Sequence, residues 1–176
     1  LDYLAGTIGV PVVVGPLSST DSYSLINRLV RQKYATVILS PAATSPGLTA
    51  PIDKLRPDDP FGLFWRTCPS DELQGRVLAE SVLGPDASID TALVIYIQDA
   101  YGEGLATVFE KKFPRTTKLL PFKSDSDPAA IASSANAQNP DAVVIITVQA
   151  ADAVALLVSD ISGNSSLRAR VTSIAV

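Results

Sequence analysis

Short β-branched runs alternate with helical-period segments along the whole chain. Val10–Val14 is a continuous apolar run that stops at Gly15-Pro16, the pattern of a strand buried on both faces. Ser18, Ser19, Thr20 and Asp21 follow it and offer several N-caps. A helix is predicted from there to about Arg31, with Tyr23, Ile26, Leu29 and Val30 on one face. Thr36–Leu39 reads as the next strand and ends at Ser40-Pro41. Prolines at 41, 46, 51, 57 and 60 then predict a long irregular connection, because proline fixes φ and lacks an N–H. Phe61–Thr67 reads as a short strand. Pro69-Ser70-Asp71 opens a helix to about Leu83, with Leu73, Val77, Leu78 and Val82 expected inward.

The second half repeats the alternation. Ala92–Ile97, Lys118–Phe122 and Ala142–Thr147 read as strands, and a further strand begins at Val171. Between them, Tyr101–Phe113 is a helix packed through Leu105, Val108 and Phe109. Pro128–Ala137 is a helix with proline at a tolerated first-turn position. Ala150–Ile161 carries Val154, Leu157, Val158 and Ile161 at i, i+3, i+4 and i+7. Strands alternating with helices of this size predict an α/β fold, with parallel sheets covered by helices on both faces. Pro69 and the proline-rich connection place a boundary there, giving two units, residues 1–69 and 70–176.

Composition narrows the chemistry. The 176 residues contain no His, so a Ser-His-Asp triad, a Cys-His dyad and an HExxH zinc site are excluded. One cysteine, Cys68, cannot form an internal disulfide or hold a metal through several thiolates. Fourteen basic against eighteen acidic residues argue against a nucleic-acid or anionic-membrane binder, whose affinity comes from clustered Lys and Arg. Apolar runs such as Ala142–Ile146 are too short to span a bilayer. The chain opens with Leu1 rather than Met, and Leu1–Gly6 reads as the last turn of a helix capped by Gly6. A piece processed or excised from a longer protein is therefore expected, with any signal segment already removed.

Ligands of open parallel sheets bind at the carboxyl ends of the strands, where four loops offer chemistry. Gly15-Pro16-Leu17-Ser18-Ser19-Thr20 brings hydroxyls and helix N–H groups, which suit a carboxylate or simply cap a helix. Ser40-Pro41-Ala42-Ala43-Thr44-Ser45-Pro46 brings hydroxyls and carbonyls, and the two loops would face one crevice. Asp99-Ala100-Tyr101-Gly102-Glu103-Gly104-Leu105-Ala106 is a degenerate G-x-G-x-A. The strand Lys118–Phe122 is followed by Lys123 and Ser124 rather than the acid a dinucleotide site needs. Tyr101 is instead presented at a strand end, to meet a ligand or to pack at the helix start. Thr147-Val148-Gln149 is the fourth loop. No P-loop occurs, no lysine lies beside Ser18 or Ser19, and Asp99 and Glu103 are too close in sequence to flank a glycosidic bond. Trp65, Arg66 and Cys68 read as structural.

At these same places the sequence resembles the type I periplasmic binding proteins, and within them the branched-chain amino-acid binders of ABC importers. The resemblance lies in Val13-Val14-Gly15-Pro16-Leu17-Ser18-Ser19, in Ile38-Leu39-Ser40-Pro41-Ala42-Ala43-Thr44-Ser45-Pro46, and in Phe64-Trp65-Arg66-Thr67 with Ser70-Asp71 and Gln74-Gly75. It continues in Tyr101-Gly102-Glu103-Gly104-Leu105-Ala106 and Pro140-Asp141-Ala142-Val143-Val144, in matching order over nearly the whole chain.

The resemblance implies two flavodoxin-like lobes with a ligand in the cleft, here as an incomplete central portion. It implies that Ser19, with Ser18 beside it, binds a ligand α-carboxylate, and that Thr44 does the same from the facing loop. The Ala42 carbonyl accepts from the α-ammonium, and Tyr101 and Gln149 contribute from the second lobe. The family's acidic partner for the ammonium lies after the strand that begins at Val171. The stretch between Pro46 and Phe64 departs from the family in its length and prolines.

The implied function is capture of a small carboxylate-bearing ligand, an amino acid, without catalysis, cofactor or metal. The implied partners are an ABC permease in the membrane and, to complete the sheets, another copy or the rest of the chain. A receptor or regulator that senses the ligand is the alternative. A periplasmic or cell-surface location follows, with or without a lipid anchor.

Overall fold

A computed structural model describes residues 1–49, 53–54, 58, 60–84, 89–148, 158–161 and 169–171. They divide into two compact units, Leu1–Asp71 and Glu72–Val176, each taken by itself.

The first unit opens with a helical turn, Asp2–Ile8, closed by Gly9 at φ 72°, whose N–H donates to the Leu4 carbonyl. The cap is therefore Gly9 rather than Gly6. Glycine takes that left-handed geometry without the Cβ clash other residues meet there. Gly6 instead lies against the Tyr34 ring. Strand β1 (Val12–Val14), helix α1 (Ser19–Gln32), strand β2 (Val37–Ser40), a 3₁₀ turn (Pro46–Thr49) and strand β3 (Phe64–Arg66) follow. The sheet order is β1-β2-β3 and both pairings are parallel, with Val13 opposite Ile38 and Ile38 opposite Phe64. The core joins Ile26 and Leu29 of α1 to Ile38, Leu48 and Phe64, with Val13 packed against it.

β1 departs from the expected strand buried on both faces. Val12 and Val14 are 48% and 75% exposed. Among the described residues β1 pairs on one side only and α1 packs against one face, so alternate side chains of the apolar run meet solvent.

Helix α2 (Asp71–Leu83) leads into the second unit, which holds β4 (Thr91–Ile97), α3 (Ala100–Lys112), β5 (Thr116–Phe122), α4 (Pro128–Ala137), β6 (Ala142–Ile146) and β7 (Ala169–Val171). All strands are parallel, in the order β5-β4-β6-β7. Val94 and Val144 point to a core with Leu78, Ala79, Val82, Leu105 and Phe109. Leu93, Ile95, Val143 and Ile145 point the other way, to Ile131, Ala135 and Ile161. A strand pair buried on both sides accounts for the unbroken apolar runs of β4 and β6. The chain goes from β4 outward to β5 and then back across to β6, so the order reverses beside β4. The carboxyl ends there are where a doubly wound sheet opens a crevice.

Two expectations shift in register. α2 turns Gly75, Leu78, Ala79 and Val82 inward, while Leu73 and Val77 are about half exposed. Gly75 sets this face: a Cβ there would lie 2.5 Å from Val108 Cγ1. Most of the predicted Ala150–Ile161 helix, and the strand beyond Val171, lie outside the described residues. No helix among the described residues is long and apolar enough to cross a membrane.

Candidate functional site

The first unit brings the two hydroxyl-bearing loops together at the carboxyl ends of β1 and β2. Gly15 continues the sheet, its N–H donating to Leu39 at 2.9 Å. Ser18 is then the N-cap of α1. Its Oγ accepts from the Asp21 N–H at 3.0 Å and donates to the Asp21 carboxylate at 2.7 Å. Both functions of that hydroxyl serve the cap. Ser19, the first residue of the helix, is only 3% exposed, and its Oγ accepts the Ser45 N–H at 3.2 Å. A hydroxyl that accepts still has a proton to donate, and among the described residues nothing takes it.

Ser40 makes the second stitch. Its Oγ donates to the Pro16 carbonyl at 2.5 Å and accepts the Ala43 N–H at 3.0 Å. The segment 40–46 is thus fastened to Pro16 through Ser40 and to Ser19, at the start of α1, through Ser45. Its carbonyls are used unequally. Those of Ala43 and Ser45 accept from Arg66 Nη1 at 3.2 and 2.9 Å, and Cys68 also points at Ala43. The Thr44 carbonyl accepts the Asp71 N–H at 3.0 Å. Among the described residues no group donates to the Ala42 carbonyl. Ala42 and Thr44 are both half-buried.

Beneath this loop lies Asp71, the first residue of α2, with 0% exposure. Neither carboxylate oxygen has a partner at full hydrogen-bond geometry. Burial pushes its pKa up to about 6; the Thr44 side chain, by hydrogen bonding, and the charge of Arg66 pull against that rise. Asp71 and Arg66 were not among the residues the sequence nominated for chemistry. Asp71 reads there as part of a helix cap and Arg66 as a strand residue. A signal was present nonetheless: Asp71 stands on the stripe of Gly75, Leu78, Ala79 and Val82, where a carboxylate must lose its water.

In the second unit, Asp99 caps α3, its carboxylate accepting from the N–H groups of Tyr101 at 3.0 Å and Gly102 at 2.8 Å. At Gly102 a Cβ would lie 2.1 Å from the Ile97 carbonyl, so glycine is what lets α3 start directly over the end of β4. Tyr101 is 6% exposed and packs in the core with Leu105 and Ala106. Thr147, after β6, is also buried. Gln149 lies outside the described residues. Among the described residues no group of three or more His, Cys, Asp or Glu could hold a metal ion. Of the nominated residues, Ser18, Ser19, Ala42 and Thr44 therefore share one place in the first unit, and Tyr101 belongs to the core of the second.

No family model matches the chain. It is 29% identical, over 138 residues, to the chemotactic signal transduction system substrate-binding protein BasB of Halobacterium salinarum, covering 76% of this chain and 32% of that protein. Among solved structures it is similar to the leucine binding protein LivK of Thermotoga maritima, with a TM-score of 0.71 at 22% identity over 92% of this chain and 43% of that one. It is also similar to an extracellular ligand-binding receptor of Rhodopseudomonas palustris, with a TM-score of 0.71 at 23% identity over 96% and 45%. An ABC transporter substrate-binding protein of Desulfitobacterium hafniense, in complex with Leu, matches at a TM-score of 0.50 and 25% identity over 82% and 41%. The chain spans about a third of the curated relative and under half of each of these structures.

Proposed function

We propose that this chain, whose fold is that of the type I periplasmic binding proteins, is the part of a solute-binding protein that holds an α-amino acid at the strand ends of its first unit. The observation that carries this reading is the pairing of opposite polarities across two stitched loops. Ser19 offers a hydroxyl proton at the N-terminus of α1, and Ala42 offers a carbonyl, on the adjoining loop, to which no group among the described residues donates. A carboxylate on the first and an ammonium on the second satisfies both ends of an amino acid without a charged side chain. Arg66 holds the neighbouring carbonyls away, so the Ala42 oxygen is the acceptor the loop presents. Ser18 supports the site by capping α1. Tyr101 sits in the core of the second unit, and the reading does not depend on it.

Such a site binds and releases its ligand unchanged, in keeping with relatives that are substrate-binding proteins. Delivery to an ABC permease is the proposed use, outside the cytoplasm, in the periplasm or at the cell surface. The name of the halobacterial relative favours a second reading, in which the bound form reports to a chemotaxis system. The same capture step serves both.

Calorimetric titration with L-leucine and other aliphatic amino acids tests the proposal. Ser19→Ala should weaken binding about tenfold, the size of one hydrogen bond to a charged group at the lower end of its range. Unchanged affinity in that variant would remove Ser19 from the site. Failure of every amino acid to bind the parent protein would remove the function.

A further inference from the structure

We propose that a cleft at the amino end of β3, apart from the amino-acid site, binds a neutral pyranose ring. The cleft, of about 420 Å³, lies in the proline-rich stretch before β3, where the chain departs from the family it resembles. That is the size of a small-molecule site. Its lining includes none of Ser18, Ser19, Ala42 and Thr44, which follow the carboxyl ends of β1 and β2. One wall is aromatic. Phe61 and Trp65 are 70% and 50% exposed and stand side by side, with ring centroids 6.1 Å apart and planes tilted by 43°. The indole N–H donates to the Gly62 carbonyl at 3.2 Å, which fixes the Trp65 ring against its own loop. Exposed apolar residues scattered singly need no explanation; two aromatic rings held together at the mouth of a cleft do.

The rest of the cleft is polar, and the sense of each group is fixed. Asp53 is 7% exposed. Its Oδ2 accepts the Phe64 N–H at 2.9 Å and its carbonyl accepts the Leu63 N–H at 2.8 Å, so the carboxylate is anchored to the start of β3. Gly62 passes directly over it, and a Cβ there would run into the carboxylate. The Thr49 hydroxyl gives its proton to the Pro46 carbonyl at 2.8 Å, which leaves its oxygen with lone pairs to offer. Lys54 is half-buried, can only donate, and forms no ion pair among the described residues. The cleft therefore offers acceptors at Asp53 and Thr49 and a donor at Lys54, with charges that cancel among its described lining residues. An anion gains from Lys54 and loses to Asp53, and a cation does the reverse. A hydroxyl both donates and accepts, so a ring bearing several of them satisfies both sides. The faces of the Phe61 and Trp65 rings are the negative side of their quadrupole and favour C–H bonds laid against them. A pyranose has both features, C–H bonds on its flat face and hydroxyls around its rim.

Trp65 is the only tryptophan of the chain, so its fluorescence reads this cleft directly. Methyl β-D-glucopyranoside and methyl β-D-galactopyranoside are titrated into the intact chain. At least one should give a saturable blue shift of the emission, with half-saturation in the millimolar range, because a stacked ring removes water from the indole. Glycerol, which has hydroxyls but no ring, and phenylacetate, which has an aromatic ring and a charge, should give none. Phe61→Ala should weaken the pyranoside about threefold to tenfold, and Lys54→Met about tenfold, with the urea midpoint of each variant as the check on folding. The absence of a saturable shift with either pyranoside overturns the proposal. So does a shift that glycerol reproduces, or one that both variants leave unchanged. Saturation by phenylacetate in place of the sugars also overturns it and gives the cleft to an aromatic acid. None of these outcomes bears on Ser19 and Ala42, whose test is the titration with L-leucine.

Discussion

Replacing Asp71 with Asn should stabilise the first unit by about 3 kcal/mol at pH 7 and by less than about 1 kcal/mol near pH 4. The sign follows from where the protons are. The Asp71 carboxyl has a usual pKa of 3.8 in the unfolded chain and one of about 6 in the folded protein. Between these values the folded state holds the proton and the unfolded state does not, so stability falls as pH rises through that window. Above about pH 6 the full cost of a buried ionised carboxylate is present; well below the unfolded pKa of 3.8 both states are protonated and the cost is gone. Asn keeps the shape and never ionises. Urea unfolding at the two pH values measures the difference. A parent protein equally stable at both, with Asp71→Asn no more stable at pH 7, would show that Asp71 is better solvated than its position indicates. A group retained at such a cost where polar loops meet has the energetics of a functional residue rather than a packing one.

How much of this was legible beforehand depends on which physics each residue obeys. The apolar periodicity of Ala92–Ile97, Tyr101–Phe113 and Pro128–Ala137 gave β4, α3 and α4 to within a residue or two, because burial on both sheet faces writes itself into composition. The pairing of the two loops was legible too, since Gly15-Pro16 and Ser40-Pro41 stop consecutive strands of one parallel sheet. What failed was anything decided by a partner distant in sequence. Leu73 and Val77 look as apolar as Leu78, yet Gly75 and its approach to Val108 choose the face of α2. Val12 and Val14 are exposed because of where β1 lies in the sheet, which no local pattern contains. Asp71 escaped notice because a carboxylate at a helix start has a sufficient explanation as part of a cap. Only its burial against the loop of Thr44 shows that the explanation is incomplete.

Arg66→Met should cost about 3 kcal/mol of stability, since two charge-assisted bonds to buried carbonyls are lost together. Ala43 is fully buried and Ser45 nearly so. Without Arg66 their carbonyls keep, among the described residues, the Cys68 thiol at 3.6 Å and the Leu48 N–H at 3.2 Å. The loss should also depend on Asp71. Arg66 is the cation that holds the Asp71 pKa down, so removing it raises that pKa further and makes ionisation at pH 7 costlier. In an Asp71→Asn background this second penalty has nothing to act on. A double-mutant cycle at pH 7 should therefore show the pair less destabilised than the sum of the single changes, and at about pH 4 the coupling should vanish. Strict additivity at pH 7 would mean that Arg66 acts on the loop alone. Binding separates from stability in the same variant. With the Ala43 and Ser45 carbonyls released, the loop no longer fixes which oxygen faces the ligand. L-leucine affinity measured where Arg66→Met is still folded should fall about tenfold or more. Retention of full affinity there would show that the Ala42 carbonyl needs no such support.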